Sequence, residues 1–221
     1  MSSLDAQAAP PVAPASDLAF TPAVKAVQSR KGSRKVYAAR EASGGFRTGV
    51  TSDLVAFLAD VDTAYLATAS ADGRPYAQHR GGPKGFIRAL DARTLGFADY
   101  RGNRQYVTLG NLSENDRAFL FLMDYAHRRR VKIWGRARVV DDDLELIATL
   151  MPEHYTARPE QAILFTVEAW DTNCPQHIPQ KFDAADVAEV VQRLQARVTE
   201  LETEVSTLRA AASLQMTGDQ P

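Results

Sequence analysis

Three clusters of basic and amide side chains stand out, because each lies at the predicted edge of a strand. They are QHRGGPKGFIR at residues 78–88, YRGNRQ at residues 100–105 and HRRRVKIWG at residues 127–135. Arginine presents a planar fork of N–H donors that matches a phosphate group, and amide side chains add further donors. Each cluster taken alone is more simply a solvated loop. Their recurrence at successive strand ends favours an anion-binding site.

The overall charge does not explain these local clusters. The chain has 221 residues, with 26 Lys and Arg against 27 Asp and Glu, so its formal net charge is −1. Without a strong positive field, nothing in the composition indicates a nucleic acid or an anionic membrane as partner. Hydrophobic residues make up 45% of the chain, which is enough for one domain with a packed core.

Cysteine usage and hydropathy predict a cytoplasmic protein. Cys174 is the single cysteine, so no intramolecular disulfide can form. No apolar stretch is long enough to span a bilayer, and the N-terminus lacks the features of a signal peptide. The four histidines show no metal-ligand spacing, and with one cysteine we expect no metal site. They are His79, His127, His154 and His177.

Strand patterns dominate the middle of the chain. Residues 131–139 alternate apolar and polar side chains, which is typical of a sheet with one buried face. Asp72-Gly73 is a hairpin turn signal between two strand-like runs. Helices are predicted at residues 21–31, 51–61 and 141–151, with Thr51 or Ser52 as N-cap of the second, while residues 33–49 look irregular. Six or seven short strands with few intervening helices favour an antiparallel barrel.

The ends of the chain have a different character. Residues 1–17 are rich in Ala, Pro and Ser and are predicted to be a disordered tail before a domain at 18–182. A helix is predicted at 183–213, with Asp183 as N-cap, followed by a tail at 214–221. Its apolar residues fall at heptad positions a (Val191, Val198, Val205) and d (Val187, Leu194, Leu201, Leu208). This pattern favours a parallel two-stranded coiled coil, although a single amphipathic helix packed on its own domain is the alternative.

The order of elements resembles the pyridoxamine 5′-phosphate oxidase-like flavoproteins, which have an FMN-binding split barrel. The resemblance covers roughly residues 52–140, with a looser match through residue 182. It implies a mainly β fold, a six-stranded antiparallel split barrel with flanking helices, to which the C-terminal coiled-coil helix is added. It also implies a homodimer with FMN at the interface between the two chains.

The same resemblance implies which residues bind the cofactor. The strand beside the flavin corresponds to Phe86, Ile87 and Arg88, and the next strand contributes Ala98 and Asp99. The turn that holds the FMN phosphate corresponds to Asn103, Arg104 and Gln105, and a polar residue near the ring system corresponds to Arg130. Arg80 or Arg88 would assist at the phosphate or the ribityl chain.

The chain also departs from the family pattern. Gln105 stands where the family has a lysine, and Ala148 and Pro152 lie near the positions that bind the substrate phosphate in the oxidase. The C-terminal Arg-x-His signature is absent, which argues against vitamin B6 chemistry. The segment with Asn173, Cys174, Gln176 and His177 has two interpretations. It either reaches the partner's flavin, with His177 as a candidate general acid, or connects the barrel to the final helix, with Cys174 as a small buried apolar residue.

The resemblance predicts a flavoprotein that transfers hydride or electrons between FMN and a small organic substrate or NAD(P)H. Three alternatives stay open. The same fold would bind the deazaflavin F420, or haem with His79, His127 or His177 as axial ligand. The protein would instead be a non-catalytic, flavin-binding stress-response module. In the third alternative, the protein is an oligomerisation scaffold that acts through its coiled coil.

Overall fold

The alternating residues 131–139 form the strand at the centre of the fold. In the computed structural model this strand, β6 (Arg129–Val140), buries Val131, Ile133 and Ala137 on one face. It pairs antiparallel with β5 (Arg117–Asp124) and with β7 (Pro159–Thr172). Alternation therefore puts every second side chain of β6 into the core, as the sequence predicts.

The structure describes residues 13–172 and 175–218, and these form two units. The larger unit contains the described residues up to 124 together with residues 128–177, except the two that are not described. The smaller unit contains residues 125–127 and the residues from 178 onward. The sheet belongs to the larger unit, and the long C-terminal helix belongs to the smaller one.

The larger unit is built on one antiparallel sheet in the order β2-β1-β5-β6-β7-β4-β3. Its remaining strands are β1 (Thr63–Ala69), β2 (Pro75–Gly81), β3 (Arg88–Ala89) and β4 (Thr94–Tyr100). The predicted antiparallel split-barrel class is confirmed, with seven strands instead of six because two-residue β3 adds to the edge. The hydrogen-bonded order separates β2 from β4 by four strands, yet Arg80 of β2 contacts Asp99 of β4. The sheet therefore curls until its two ends meet.

The curled sheet encloses the main apolar core. Its largest fully buried side chains include Trp170, Phe86, Phe97 and Phe165. The indole Nε1 of Trp170 donates a hydrogen bond of 2.8 Å to the carbonyl oxygen of Gly49, so the one polar atom of that side chain is satisfied. A second, smaller core packs helix α5 (Leu144–Leu150) against β4 and β7.

The helices of the larger unit flank this sheet. They are α1 (Pro22–Lys31), α2 (Arg34–Ala42), α3 (Ser52–Ala59), α4 (Val107–Glu114) and α5, preceded by a 3₁₀ helix at Ala15–Leu18. Thr51 caps α3 by accepting a hydrogen bond from the Leu54 N–H at 3.4 Å, as predicted. The prediction of irregular structure at residues 33–49 is wrong for α2. That segment is rich in good helix formers, and Arg34 pairs with Glu41 two turns later.

The smaller unit is dominated by α6 (Ala184–Gly218). It begins directly after Asp183, as predicted, and runs to Gly218, past the predicted end at residue 213. Residues 209–218 contain three consecutive alanines and no proline, so nothing local stops the helix before Gly218. Among the described residues, no helix combines the length and apolar character needed to cross a membrane.

Candidate functional site

A buried ion pair marks the point where the two ends of the sheet meet. The guanidinium of Arg80 on β2 donates a hydrogen bond to the carboxylate of Asp99 on β4. The two side chains are only 9% and 7% exposed. Gln161 at the start of β7 donates from Nε2 to the second Asp99 oxygen at 2.7 Å. Both carboxylate oxygens therefore have a donor, which a buried carboxylate requires.

The network continues from Arg80 toward α4. The Oε1 atom of Gln78 accepts hydrogen bonds from Arg80 Nη2 at 3.0 Å and from the Thr108 hydroxyl at 2.7 Å. Gln78 and Arg80 lie two residues apart on β2, so they share one face of the strand. Arg80 Nε is buried and has no hydrogen-bond partner among the described residues. A donor of this kind is costly to bury, which points to a ligand or water that completes it.

Burial dominates the electrostatics of this pair. It raises the pKa of Asp99 above the ordinary aspartate value, while Arg80 and Gln161 act in the opposite direction. Burial also lowers the pKa of Arg80, and the charge of Asp99 opposes that shift. The negative charge of Asp99 therefore depends on its two partners, and Arg80 is the stronger of them.

The loop that follows β4 has an unusual backbone. Arg104 and Tyr106 both adopt left-handed conformations, with φ of 60° and 53°. The Gln105 N–H donates to the Asn103 side-chain oxygen at 3.2 Å, and Arg104 Nε donates to the Tyr106 hydroxyl at 3.0 Å. Left-handed non-glycine residues are uncommon, and they concentrate at ligand-binding sites.

This loop leads directly into the N-terminus of α4, which has no side-chain cap. The N-cap residue is Tyr106, and its side chain accepts no hydrogen bond from the first turn. No acidic residue lies in that turn either. The first N–H groups of a helix lack partners within the helix, and the helix dipole places partial positive charge there. An uncapped helix N-terminus of this kind is suited to bind an anion.

The network, the loop and the helix end surround one cleft. Its lining residues are Gln78, Arg80, Asp99, Tyr100, Gly102, Asn103, Arg104, Gln105, Tyr106, Leu109, Glu160 and Gln161. The volume is about 40 Å³, and the cleft adjoins an open depression of about 500 Å³ that shares four of these residues. A closed pocket for a ligand of drug or cofactor size spans roughly 300–1,000 Å³. The cleft therefore has room for a small group such as a phosphate, and a larger ligand would extend over the open surface.

Five of the residues predicted from the sequence line this cleft. They are Arg80, Asp99, Asn103, Arg104 and Gln105. The side chains of Phe86, Ile87 and Ala98 lie in the cores instead, with exposures of 1–2%. Arg88 donates to the carbonyl oxygens of Thr149 at 2.7 Å and Met151 at 3.3 Å, at the C-terminal end of α5. Arg88 thus caps that helix end in this structure.

The other predicted residues lie away from the cleft. Arg130 is half-buried near the start of β6, and its Nε is buried without a partner among the described residues. Gln176 and His177 are exposed in a turn, and His177 has a left-handed φ of 63°. Asn173 and Cys174 lie outside the described residues, so their predicted roles stay predictions.

Four lining residues lie outside the clusters that the sequence singles out: Tyr106, Leu109, Glu160 and Gln161. Tyr106 directly follows the cluster at residues 100–105, and this proximity is the one local signal that would have found a member of this set. Glu160 accepts a hydrogen bond of 3.5 Å from Tyr106 and lies 3.7 Å from Arg101. Its charge is therefore partly balanced by the loop, and long-range strand pairing alone brings it there.

The cleft is lined by oxyanion donors and not by histidine among the residues that the structure describes. Within residues 13–172 and 175–218, no group of three or more His, Cys, Asp or Glu side chains is arranged to hold a metal ion. The donors that the cleft offers are guanidinium, amide, hydroxyl and backbone N–H groups, which bind oxyanions.

A family model described as pyridoxamine 5′-phosphate oxidase matches residues 50–174, more than half of the chain. No curated protein matches. Among solved structures, the chain is similar to HupZ of Group A Streptococcus (16% identity, 60% of this chain and 99% of that chain, TM-score 0.46). It is also similar to an FMN-binding protein from Syntrophomonas wolfei (8% identity, 66% of this chain and 97% of that chain, TM-score 0.44). A third similar structure is HutZ, a haem storage protein from Vibrio cholerae (16% identity, 55% of this chain and 91% of that chain, TM-score 0.40).

Proposed function

The chain belongs to the pyridoxamine 5′-phosphate oxidase family, and we propose that it is a flavoprotein that binds the phosphate of FMN in the cleft between β2, β4 and α4. One observation carries this assignment. The uncapped N-terminus of α4 opens at a cleft that is also lined by Arg104 and Arg80. The helix N-terminus and the guanidinium of Arg104 thus meet at one small space that Arg80 also lines, and both kinds of donor suit a phosphate.

Each residue has a distinct role in this assignment. Arg104 binds the phosphate by charge-assisted hydrogen bonds from Nη atoms that have no partner among the described residues. Asn103 and Gln105 add amide donors, and Arg80 supplies a second cation whose orientation is fixed by Asp99. Asp99 is neutralised by that contact, so Glu160 is the one lining carboxylate that opposes the phosphate directly.

The size of the cleft supports a site completed by a second chain. A space of about 40 Å³ does not enclose a ring system, and the adjoining depression is open. The flavin ring would therefore extend over the surface of the sheet, where another protein surface must cover it to exclude water. We assign that cover to a second copy of this chain, giving a homodimer with two flavin sites.

The proposed reaction is an oxidoreduction. Bound FMN supplies hydride and electron transfer at its ring. The protein binds the phosphate, orients the ring and admits a small organic substrate or NAD(P)H. Arg130 is the candidate residue for the ring, because the family pattern has a polar residue at this position of the long strand, and Arg130 is only partly buried. Ala148 and Pro152 offer no phosphate donor, so a substrate other than pyridoxamine 5′-phosphate is proposed.

A comparison of FMN with riboflavin tests the phosphate assignment. The purified protein is stripped of ligand, and the affinity for each compound is measured by fluorescence quenching. FMN should bind far more tightly than riboflavin. Arg104→Ala should weaken FMN binding by roughly tenfold or more and leave riboflavin binding unchanged. Arg93→Ala is the matched control, because Arg93 is exposed and outside the cleft. Equal affinity of wild type and Arg104→Ala for FMN would remove Arg104 from the site.

A second experiment separates the enzyme from its alternatives. The visible spectrum of the purified protein, with mass spectrometry of the ligand released by heat, identifies FMN, F420 or haem. Anaerobic reduction by NADH or NADPH is then followed at the flavin absorption maximum. Reduction followed by turnover with an acceptor supports an oxidoreductase. A protein that holds FMN and is reduced by neither nucleotide nor by any small organic donor is a non-catalytic flavin-binding module.

A further inference from the structure

The helix α6 carries an exposed apolar stripe along its described length. The stripe consists of Val187, Val191, Leu194, Val198, Leu201, Val205 and Leu208, whose exposed fractions range from 41% to 62%. These residues repeat with alternating steps of four and three, which places all seven on one narrow face of the helix. Monomeric proteins rarely expose a contiguous apolar strip of this length.

The residue types along the stripe select a particular partner. Valine occupies positions 191, 198 and 205, and leucine occupies positions 194, 201 and 208. A β-branched residue at heptad position a with leucine at position d favours two parallel strands. Both sets of positions are apolar without interruption over three heptads. Another copy of the same helix therefore complements the stripe position by position.

The charges beside the stripe distinguish parallel from antiparallel pairing. In a parallel, in-register pair, Arg197 faces Glu202 of the second copy, and Glu204 faces Arg209 of the second copy. Each contact occurs twice, so four attractive pairs form. In the antiparallel register with the greatest overlap, Arg197 faces Glu204 of the second copy, and only two such pairs form. Charge complementarity favours the parallel pair.

We propose that α6 pairs with α6 of a second copy of this chain as a parallel, in-register coiled coil. Parallel pairing brings the two helix starts at Ala184 together. Each start follows β7 of its own chain by a connection of eleven residues, 173–183, so the two barrels are tethered to one another. A tether of this kind raises the effective concentration of each barrel for its partner. The pairing itself rests on α6 alone and does not depend on the flavin assignment.

Disulfide trapping tests the pairing and its direction in the full-length protein. Leu208→Cys is introduced together with Cys174→Ser, so that one thiol remains. In a parallel pair the two thiols face each other, and a covalent dimer should form in a glutathione redox buffer. In the antiparallel pair they would be about 25 Å apart, from a rise of about 1.5 Å per residue, and Val191→Cys mixed with Leu208→Cys would form the cross-link instead. Thr203→Cys, on the opposite face, is the control and should form at least tenfold less dimer.

Two further sets of variants exclude unspecific trapping and orientation errors. Leu194→Glu in the Leu208→Cys protein should reduce the cross-linking rate at least tenfold, whereas Ala196→Glu on the outer face should not. Arg197→Glu should also reduce it, because this variant places two glutamates opposite each other. Adding Glu202→Arg should restore the rate in a parallel pair only. Circular dichroism establishes that each variant keeps the helix content of wild type.

The outcomes separate this inference from the proposed function. A Leu208→Cys dimer that Leu194→Glu abolishes supports the coiled coil whether or not the protein binds FMN. Cross-linking of Val191→Cys to Leu208→Cys would overturn the parallel orientation. Equal cross-linking rates for Leu208→Cys and Thr203→Cys would overturn the pairing, and so would the absence of every cross-link, including that between Val191→Cys and Leu208→Cys. In that case the stripe covers another surface, and the proposal that the cleft binds FMN would still stand.

Discussion

Replacing Arg80 by methionine isolates the role of the ion pair that joins the two ends of the sheet. Methionine keeps a linear apolar stem and removes the guanidinium. Asp99 then stays buried, with the 2.7 Å hydrogen bond from Gln161 as its remaining described partner. The substitution therefore asks what it costs to bury that carboxylate after its main counter-charge has been removed.

The expected cost follows from the burial of the pair. Removing one partner of a buried ion pair costs about 3–5 kcal/mol, because the other charge is left without compensation. Both side chains are less than 10% exposed, so solvent does little to screen Asp99. For a domain of this size, 1 kcal/mol corresponds to roughly 2–4 °C in Tm. We expect the Tm of Arg80→Met at pH 8 to be lower by roughly 6–20 °C.

The cost should also depend on pH in a defined direction. Burial raises the pKa of Asp99, and Arg80 is the strongest influence that lowers it. Without Arg80, the folded protein holds the Asp99 proton to a higher pH than the unfolded chain, whose aspartate pKa is about 3.9. The stability from this proton is fully present below the unfolded pKa and is lost as pH rises through the folded pKa. Arg80→Met should therefore lose less stability at pH 5 than at pH 8.

Differential scanning calorimetry of the ligand-free protein at pH 5, 6, 7 and 8 measures this effect. The Tm deficit of Arg80→Met should shrink as pH falls, because the difference in unfolding free energy between wild type and variant falls by up to about 1.4 kcal/mol per pH unit. The double variant Arg80→Met with Asp99→Asn removes the second charge and should recover most of the lost stability. A deficit that is the same at every pH, or a double variant no more stable than Arg80→Met, would refute the role given to the buried charge.

Three further predictions concern packing, helix ends and the cofactor. Gly135→Ala should destabilise the fold by about 3 kcal/mol, since the added Cβ would lie 2.0 Å from a backbone oxygen of β7. Gly102→Ala is the control, because its Cβ would meet no atom within 4 Å. This control should keep the wild-type Tm within about 2–3 °C, which corresponds to less than about 1 kcal/mol. Arg88→Ala should lose about 1–2 kcal/mol in chemical denaturation and keep its affinity for FMN within twofold. Thr51→Ala should lose about 1 kcal/mol in the same assay, because α3 loses its N-cap.

Local patterns in the sequence were sufficient for the elements and for part of the site. Alternation over residues 131–139 predicts β6, and the Thr51 cap predicts α3, because each depends on neighbours within a few residues. The loop with Asn103, Arg104 and Gln105 was found by the same means, since a basic turn after a strand is a local signal. The heptads of α6 are likewise local, so the sequence predicted a helix with one apolar face.

The rest was decided by contacts between residues far apart in the chain. Arg80 and Asp99 are 19 residues apart, and only the curl of the sheet makes them partners. Gln161 joins them because β7 pairs with β4. The same tertiary packing buries Phe86 and Ile87 in the core, and it places Arg88 against the C-terminal end of α5. A sequence pattern records the period of a strand, whereas register and curvature depend on the free energy of the whole sheet, which no local pattern contains.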